Sequence, residues 1–417
     1  MTRQPARVRT TPSAVCFLVK GVPRVNLSRS SRRRTDVGAK ASVEAAGASR
    51  RAYRAEAGPQ APPDVAQLEA WRTGLRRAVL AAVTEFVSDR CAEELGASGV
   101  DVAGEILLEF LDGGKCLRST FMYLGWLCGA PPSEAALSAT GSLELLHAFA
   151  LLQDDVMDDS ASRRGRPAAH VQFADWHRSH ALSGSSRRFG KAAAVLLGDL
   201  CLIWAEQMLR DCGLAADQLQ RAWPRYDAMR SELAVGQFAD LANDLRDLPP
   251  MESVLAVARR KSGNYTVRRP LEIGAAMAGC DARVLAGLGD YGCAVGEAFQ
   301  LRDDILGVFG APTVTGKPSG GDLLERKATS VVVAAHQLAD AAARRQFRDL
   351  MHTDRLDAAA VERWRTLILS TGAVQWIEQL IAERVAAARK ALDRSGIGGA
   401  IGDALVDMAG VCTRRAA

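Results

Sequence analysis

The chain lacks the sequence patterns of structural zinc sites, disulfide frameworks and membrane-spanning segments. Its nine cysteines are an odd number, dispersed from Cys16 to Cys412, and no C-x-x-C pair occurs. This pattern favours reduced thiols in a cytoplasmic protein over a disulfide framework or a zinc site. No segment reaches the roughly 18 uninterrupted apolar residues of a membrane span, so we expect no stable membrane insertion. Only 6% of the 417 residues are aromatic, but 48% are hydrophobic, which is enough for a large core.

Positive charge is concentrated in the N-terminal 56 residues. Residues 1–56 contain thirteen Arg or Lys and three acidic residues, a net charge of +10, so the rest of the chain carries −5 of the total of +5. We interpret residues 1–63, which end in Gly58-Pro59 and Pro62-Pro63, as a disordered basic extension. Its composition resembles an organelle transit peptide, whereas the Ala/Arg/Gly-rich chain as a whole, typical of GC-rich bacterial coding, favours an inert leader or an upstream start codon. Aromatic residues do not interleave its basic residues, so no nucleic-acid partner is expected.

Residues 64–417 have the periodicity of helices. Apolar residues recur at three- and four-residue spacing, without sustained period-two alternation, which predicts one large all-α domain. Residues 143–152 are apolar nearly all round, as is typical of a helix buried on several sides, and a similar helix is predicted for 283–306. Breaks are expected at 129–132, 248–250 and 310–321, where Gly and Pro cluster.

Both predicted central helices carry acidic clusters. Asp154, Asp155 and Asp158 follow the first apolar run, and Asp303 and Asp304 follow the second. On a helix, Asp154 and Asp158 lie one turn apart on one face, so their charges repel unless a cation lies between them. Carboxylates without nearby Cys or His favour Mg²⁺, which usually accompanies a phosphorylated substrate. The alternative for the first cluster is a solvated acidic helix end.

Basic motifs accompany these clusters. Arg163-Arg164-Gly165 follows the first cluster and Gly113-Gly114-Lys115-Cys116-Leu117-Arg118 precedes it. Arg and Lys side chains bind phosphate oxygens. This ordered set, D-D-x-x-D, R-R-G, G-G-K-x-x-R and a second aspartate-rich motif, resembles that of the trans-isoprenyl diphosphate synthases, or polyprenyl synthetases, over roughly residues 75–410. The similarity is greatest to bacterial geranylgeranyl diphosphate synthases.

The resemblance implies a helical bundle of the isoprenoid synthase type with a central cavity, and a homodimer. It implies Mg²⁺-dependent, head-to-tail condensation of an allylic diphosphate (dimethylallyl, geranyl or farnesyl) with isopentenyl diphosphate, releasing diphosphate. Such chemistry needs positive charge where negative charge grows on the leaving group. It needs no activated nucleophile, and no Ser-His-Asp or Cys-His arrangement is recognisable in the sequence.

The resemblance also implies roles for individual residues. Asp154, Asp155 and Asp158 would hold Mg²⁺ on one wall, and Asp303 and Asp304 on the other. Arg163 would hold the allylic diphosphate and Arg164 the homoallylic one. The isopentenyl diphosphate anchors would be Lys115, Arg118 and His147. The residues lining the allylic diphosphate and cation would be Gln237, Asp240, Lys261, Ser262, Gln300, Lys317 and Lys327. His147 could instead be a satisfied core histidine, and Lys317 and Lys327 solvated loop charges.

The chain departs from the family pattern at four positions. Gly307 stands where many members have a third Asp, Cys116 where Arg is frequent, Ser119 where Pro is frequent, and Ser262 where Thr is usual. Cys116 and Gly307 leave open a second hypothesis, a weakly active regulatory subunit of a heteromeric synthase. A third is a class I terpene cyclase. Cyclases pair their acidic motif with an N-D-x-x-S-x-x-x-E type motif, and the nearest candidate, at 243–247, lacks the Ser.

Product length is expected to depend on the residues one turn before Asp154. The growing chain should run along the helix that carries Asp154, and there Phe149 and Ala150 occupy the fifth and fourth preceding positions. An aromatic side chain buries about 150–250 Å², enough to decide whether another five-carbon unit fits. Geranylgeranyl-producing members commonly have one aromatic and one small residue there. We therefore expect a twenty-carbon product, with fifteen or twenty-five carbons as neighbours; the alternative is that Phe149 is ordinary core.

Overall fold

The computed structural model describes residues 60–242, 248–310, 320–353 and 356–414. Within these ranges the chain is almost entirely helical, which confirms the all-α prediction. The α-helices, in chain order, are α1 (Leu68–Arg90), α2 (Asp101–Leu111), α3 (Leu117–Leu127), α4 (Glu134–Met157), α5 (Ala169–Ser179), α6 (Ser186–Arg210), α7 (Ala216–Leu241), α8 (Met251–Ala258), α9 (Arg269–Met277), α10 (Ala282–Phe309), α11 (Gly321–Leu324), α12 (Ser330–Leu338), α13 (Ala341–Met351), α14 (Ala358–Ser370), α15 (Ala373–Ser395) and α16 (Gly399–Thr413). The remaining elements are 3₁₀ turns at Val65–Gln67 and Gly96–Ser98, π-helical turns at Cys91–Leu95 and Arg259–Arg268, and strands β1 (Ser162–Arg163) and β2 (Arg166–Pro167).

The predicted helix breaks have local causes. Residues 129–132 separate α3 from α4, and α4 begins after Ser133, whose side chain accepts a hydrogen bond from the Ala136 N–H. Residues 248–250 precede α8, with Pro250 at its N-cap. Helix α10 ends at Phe309, after which residues 311–319 lie outside the described part of the chain. The first two breaks are confirmed, and so is the start of the third.

Helices α4 and α10 carry the two acidic clusters and are the long, buried helices that the sequence predicted. Helix α4 packs most extensively against α6, and α10 packs against α15 and the π-helix Arg259–Arg268. A Cβ on Gly296 of α10 would lie 2.7 Å from Cα of Gly263, so only glycine allows these two backbones to approach so closely. This contact fixes the π-helix beside α10. A π-helical turn between two α-helices often occurs at a functional site.

Two helices, α4 and α6, are long and apolar enough to cross a bilayer by length and composition. Of the 18-residue apolar stretch in each helix, two thirds is buried within the protein in α4 and 44% in α6. Burial explains the apolar composition of α4, because it is the central helix of the core.

The N-terminal boundary predicted at residue 63 allows a direct experiment. Residues 1–59 lie outside the described part, and the first helical turn begins at Val65. A truncated protein that begins at Asp64 should fold and keep its specific activity within about twofold, because every described helix begins after this residue. Among the described contacts, the truncation removes the hydrogen bond from Trp71 Nε1 to the Gln60 carbonyl, 3.0 Å long. Thermal unfolding and activity are the measurements.

A second truncation that begins at Gln60 is the matched control, because it retains the Trp71 bond and the buried Pro62. If the shorter protein aggregates or loses most of its activity while the longer one does not, the boundary lies before Gln60. If both fail, the N-terminal segment is structural.

Candidate active site

The first acidic cluster lies at the C-terminal end of α4 and is held by one arginine. Asp158 closes the helix, and its N–H donates to the Asp154 carbonyl at 2.8 Å. Arg163 donates from Nε to Oδ1 of Asp155 at 2.9 Å and from Nη2 to Oδ2 of Asp154 at 3.2 Å. Burial of Arg163 opposes its charge, but Asp155 and Asp154 outweigh this and raise the pKa of its guanidinium. The nearly inaccessible Asp155 is therefore the structural partner of Arg163, whereas Asp154 and Asp158 are more exposed.

The R-R-G motif lies in a small hairpin, which the helical periodicity did not predict. The hairpin points its two arginines in different directions. Strands β1 and β2 pair antiparallel, and the two turn residues, Arg164 and Gly165, both have positive φ, +54° and +75°. The turn directs Arg163 to the aspartates. Arg164 instead donates to the Phe110 carbonyl at 3.2 Å, and its guanidinium lies 5.9 Å from the Phe110 ring centre. The two arginines thus face different parts of the site.

Residues from α7 and the π-helix converge on Asp154. Lys261 Nζ lies 2.5 Å from Asp240 Oδ2 and 3.5 Å from Asp154 Oδ1, and Gln237 Nε2 donates to Asp154 Oδ1 at 3.3 Å. Gly236 permits this, because a Cβ there would lie 2.7 Å from the Lys261 backbone nitrogen. The structure therefore brings together three residues that the resemblance implied, although they lie far from Asp154 in the sequence.

The second cluster divides into one carboxylate fixed in the core and one that is half-buried. Asp304 Oδ2 accepts hydrogen bonds from Ser330 N at 2.9 Å and Ser330 Oγ at 2.6 Å, and Oδ1 accepts from Gln300 Nε2 at 2.8 Å. Burial raises the pKa of Asp304, against the effect of these hydrogen bonds. Asp304 thus binds the start of α12 and stabilises that helix end, while Gln300 holds the other oxygen of the same carboxylate. Asp303 is half-buried.

The segment from Lys327 to Ser330 contacts both acidic clusters. Lys327 Nζ lies 3.1 Å from Asp158 Oδ2 and 2.8 Å from Glu325, and three residues further along the chain Ser330 binds Asp304. Burial alone would lower the pKa of Lys327, but the carboxylates around it, Glu325 first, raise it, so its ammonium stays charged. Lys327 is not the solvated loop charge of the alternative interpretation. Lys317 lies outside the described residues.

Asp322 is an acidic residue of this region that the motif analysis missed. Its carboxylate occupies the space beside Gly307, where a Cβ would collide with Oδ2 of Asp322. Asp322 also lies close enough to Lys327 to help raise its pKa. A carboxylate from α11 therefore stands near the position where many relatives carry a third Asp in the second motif. The sequence signal was weak, because only the fold brings residues 307 and 322 together.

A second basic group lies around α3. The guanidinium of Arg118 lies 4.3 Å from the Tyr265 ring centre and donates to Thr266 Oγ1 at 3.0 Å. Lys115 is exposed in the preceding loop. Burial, followed by the charges of Arg118, Arg164 and Arg163, lowers the pKa of His147 well below its ordinary value, so its imidazole is neutral. Among the described residues, Nδ1 of His147 is buried without a hydrogen-bond partner, unlike a satisfied core histidine.

An apolar cavity of about 280 Å³ connects these groups. Its polar lining residues include Arg118, His147, Asp154 and Lys261. Phe149 and Ala150 line it as well, which places both proposed length-determining residues on the cavity wall. Its other lining residues are Leu151, Gln153, Met157, Leu233, Ala234, Gln237, Phe238, Leu241, Ser262 and Tyr265. A mostly apolar lining with a few charged groups suits a hydrocarbon that carries a charged head.

Comparison with known proteins identifies the family. The sequence profile of the polyprenyl synthetase family matches residues 101–368. The chain belongs to the polyprenyl synthetase family. It is 33% identical to a geranylgeranyl diphosphate synthase of Mycobacterium tuberculosis over 67% of this chain and 75% of the relative. It is 31% identical to a geranylfarnesyl diphosphate synthase of Aeropyrum pernix over 68% of this chain and 84% of the relative.

Solved structures agree with this assignment. The geranylgeranyl pyrophosphate synthase of Corynebacterium glutamicum, complexed with isoprenyl diphosphate and magnesium, superposes with a TM-score of 0.76 at 33% identity, covering 82% of this chain and 99% of that one. This polyprenyl synthetase is therefore an all-α protein of the isoprenoid synthase fold, and it is a trans-prenyltransferase.

The acidic residues of this polyprenyl synthetase fit a hard divalent cation by their chemistry. Asp154 and Asp158 offer carboxylate oxygens, and each already contacts a lysine ammonium, which shows that the cluster attracts positive charge. Across the four described ranges, no three potential ligands converge at metal-binding distance. Lys261 and Lys327 each lie beside one oxygen of these carboxylates, Oδ1 of Asp154 and Oδ2 of Asp158.

Proposed function

We propose that this chain condenses an allylic diphosphate with isopentenyl diphosphate, head to tail, in a Mg²⁺-dependent reaction that makes an (E)-polyprenyl diphosphate. One observation carries the proposal: Arg118 and Lys261 line the same apolar cavity but belong to different polar groups. Lys261 contacts the aspartates, whereas Arg118 lies with Tyr265 and Thr266. Two diphosphates need two such cationic sites, and a single allylic substrate needs one.

The reaction would begin with heterolysis of the allylic C–O bond. Of the five aspartates that the resemblance implied as ligands, we assign Mg²⁺ to Asp154, Asp158 and Asp303, because Asp155 is buried against Arg163 and Asp304 against Ser330. The metal would neutralise the charge that grows on the departing diphosphate. Arg163, Lys261 and Lys327 lie among these carboxylates and would bind its oxygens. The double bond of isopentenyl diphosphate then attacks the allylic cation, one carbon–carbon bond forms, and the departing diphosphate accepts the proton that is lost.

The second substrate would bind at the other basic group. Lys115, Arg118 and Arg164 would hold the diphosphate of isopentenyl diphosphate, and the neutral His147 would hydrogen-bond to it without adding charge. The apolar wall with Phe149 and Ala150 would receive the hydrocarbon. Relatives named for geranylgeranyl, geranylfarnesyl and farnesyl products span three lengths. We favour geranylgeranyl diphosphate, because one aromatic and one small residue line the wall.

A cytoplasmic homodimer is the assembly that we propose. The outer face of α6 exposes Leu196 at 64% and Ile203 at 52%, two turns apart on the same face. Such large exposed apolar side chains suit contact with a second copy of the chain. Sedimentation at micromolar concentration should give twice the monomer mass, and Leu196→Glu should shift the equilibrium to the monomer.

The two alternatives draw little support from the structure. Cys116 is only 2% exposed and packs in the core, so its side chain does not occupy the surface that would bind a diphosphate. Asp322 brings a carboxylate close to Gly307. These contacts weaken the argument for a poorly active regulatory subunit. The segment at 243–247 that came nearest to a cyclase motif lies outside the described residues.

The test is incubation with labelled isopentenyl diphosphate, Mg²⁺ and each allylic primer in turn, followed by chain-length analysis. We expect label in a polyprenyl diphosphate, mainly of twenty carbons, and no hydrocarbon product from the primer alone. Cyclised hydrocarbon from the primer without isopentenyl diphosphate would instead establish a cyclase. Activity only after addition of a partner synthase would establish a regulatory subunit.

Lys115 provides a separate test of the second diphosphate site. Lys115→Ala should raise the KM for isopentenyl diphosphate by about 10- to 100-fold, because one charged contact to phosphate is lost. The KM for the allylic primer should change little. Lys191→Ala is the control, because Lys191 pairs with Asp159 outside the cavity. A selective rise in the allylic KM would reverse our assignment of the two sites.

A further inference from the structure

The loop that carries Lys115 is anchored by a residue outside every recognised motif. Arg76, in α1, donates from Nε to the Gly114 carbonyl at 2.6 Å. Gly114 is buried, whereas the next residue, Lys115, is exposed. The anchored carbonyl belongs to the peptide group that joins these two residues. Arg76 therefore fixes the backbone immediately before the lysine that the proposed function assigns to isopentenyl diphosphate.

The other side of the loop is also held. Cys116 has the left-handed conformation, with φ +49°, and its side chain is 2% exposed. Below it, Glu144 of α4 accepts a hydrogen bond from Ser119 Oγ at 2.7 Å. Glu144 Oε2 lies 3.6 Å from the position of a Cβ on Gly114. Burial, and then Glu144, raise the pKa of the Cys116 thiol, so the thiol stays protonated beside this carboxylate.

The loop thus lies between Arg76 of α1 on one side and Glu144 of α4 on the other. Two positions where the chain departs from the family pattern, Cys116 and Ser119, both contact Glu144. They therefore form part of the surface of α3 and α4 on which the loop packs. A loop of glycines would otherwise lose much conformational freedom when a diphosphate binds to it. Anchoring it before the substrate arrives removes part of that entropic cost.

We propose that Arg76 is a positioning residue for the homoallylic diphosphate site. It contacts no substrate and acts through the Gly114 carbonyl, which sets the place of Lys115 and of the start of α3, where Arg118 lies. The proposal rests on the proposed function, and it predicts an effect on one substrate only. Asp154, Lys261 and the allylic site lie on other elements and keep their own contacts.

Side-chain geometry provides a matched pair of variants. Glutamine has its amide nitrogen, Nε2, at the same place along the side chain as Nε of arginine, and methionine has its terminal methyl there. Arg76→Gln and Arg76→Met both remove the positive charge, but only Arg76→Gln keeps a donor for the Gly114 carbonyl. A difference between them therefore reports the hydrogen bond rather than the charge.

We expect Arg76→Met to raise the KM for isopentenyl diphosphate about tenfold, with the allylic KM and the kcat at saturation changed less than about twofold. Arg76→Gln should recover at least about threefold of this loss. Arg77→Met, at the exposed neighbouring position of α1, is the control and should resemble the wild type. Equal loss in Arg76→Met and Arg76→Gln, or equal effects on both substrates, would overturn the proposal.

Hydrogen–deuterium exchange provides a readout that does not depend on catalysis. In Arg76→Met the amides of residues 112–116 should exchange faster than in the wild type and in Arg77→Met, while those of α4 and α10 should not. Unchanged exchange in this loop would contradict an anchoring role. A wild-type protein that does not consume isopentenyl diphosphate would contradict the proposed function, and the exchange result would still decide whether Arg76 anchors the loop.

Discussion

Asp154→Ala should reduce kcat by at least about 10²- to 10³-fold, because it removes a carboxylate that we assign to the metal at the departing diphosphate. The protein should still fold. Arg163 keeps Asp155 and Lys261 keeps Asp240, so no buried cation is left unpaired when Asp154 is lost. Asp303→Ala should have a similar effect, because we assign this carboxylate of the second acidic cluster to the metal as well. Steady-state rates and circular dichroism are the measurements, and chelation of Mg²⁺ should abolish wild-type turnover.

Asp159 is the matched control for this prediction. It follows Asp158 directly but is exposed, and it pairs with Arg187 at 2.7 Å and Lys191 at 2.9 Å. Because exposed ion pairs contribute about 0–1 kcal/mol, Asp159→Ala should change both activity and stability little. Undiminished product formation by Asp154→Ala, or an equal loss in Asp159→Ala, would remove the basis of the metal assignment.

Ala150→Phe should shorten the main product by at least one five-carbon unit, and Phe149→Ala should lengthen it. Both side chains line the apolar cavity beside Asp154. A phenyl ring at position 150 would fill space that the hydrocarbon needs, and removing the ring at 149 would open space of about the size of one unit. Chain-length analysis of the products of each variant is the measurement.

Phe189→Ala tests whether any loss of an aromatic ring has this effect. Phe189 is half-buried against Trp176, with ring centres 5.8 Å apart, and does not line the cavity. Its loss should lower thermal stability without changing product length. If Ala150→Phe and Phe149→Ala both gave the wild-type distribution, product length would be set by other residues of the wall, such as Leu233 and Leu241.

The sequence predicted the helical architecture because α4 and α10 have long apolar stretches, and it located the acidic clusters because these end such stretches. It did not predict the hairpin at Arg163, because four strand residues are too few for a periodic signal. It could not tell Asp303 from Asp304. Adjacent helical residues point in different directions, and only the packing of α12 shows that Asp304 faces Ser330.

Contacts between distant segments explain the other residues that were missed. Arg76 and the Gly114 carbonyl that it contacts are 38 residues apart in the sequence. No local sequence pattern predicts which side chain will bind a backbone carbonyl. Asp322 approaches Gly307 only because α11 folds back onto α10. Motifs identify groups that contact substrate, but the residues that position those groups follow from the fold.

The most direct test of the two-site mechanism is anomalous diffraction from crystals grown with Mn²⁺, an unreactive allylic thiodiphosphate and isopentenyl diphosphate. We expect manganese at the carboxylates of Asp154 and Asp303, with Lys261 and Lys327 moved from the aspartates to diphosphate oxygens. We also expect isopentenyl diphosphate beside Lys115 and Arg118. Manganese bound elsewhere, with both lysines still paired to Asp154 and Asp158 and no diphosphate at Lys115, would contradict the mechanism.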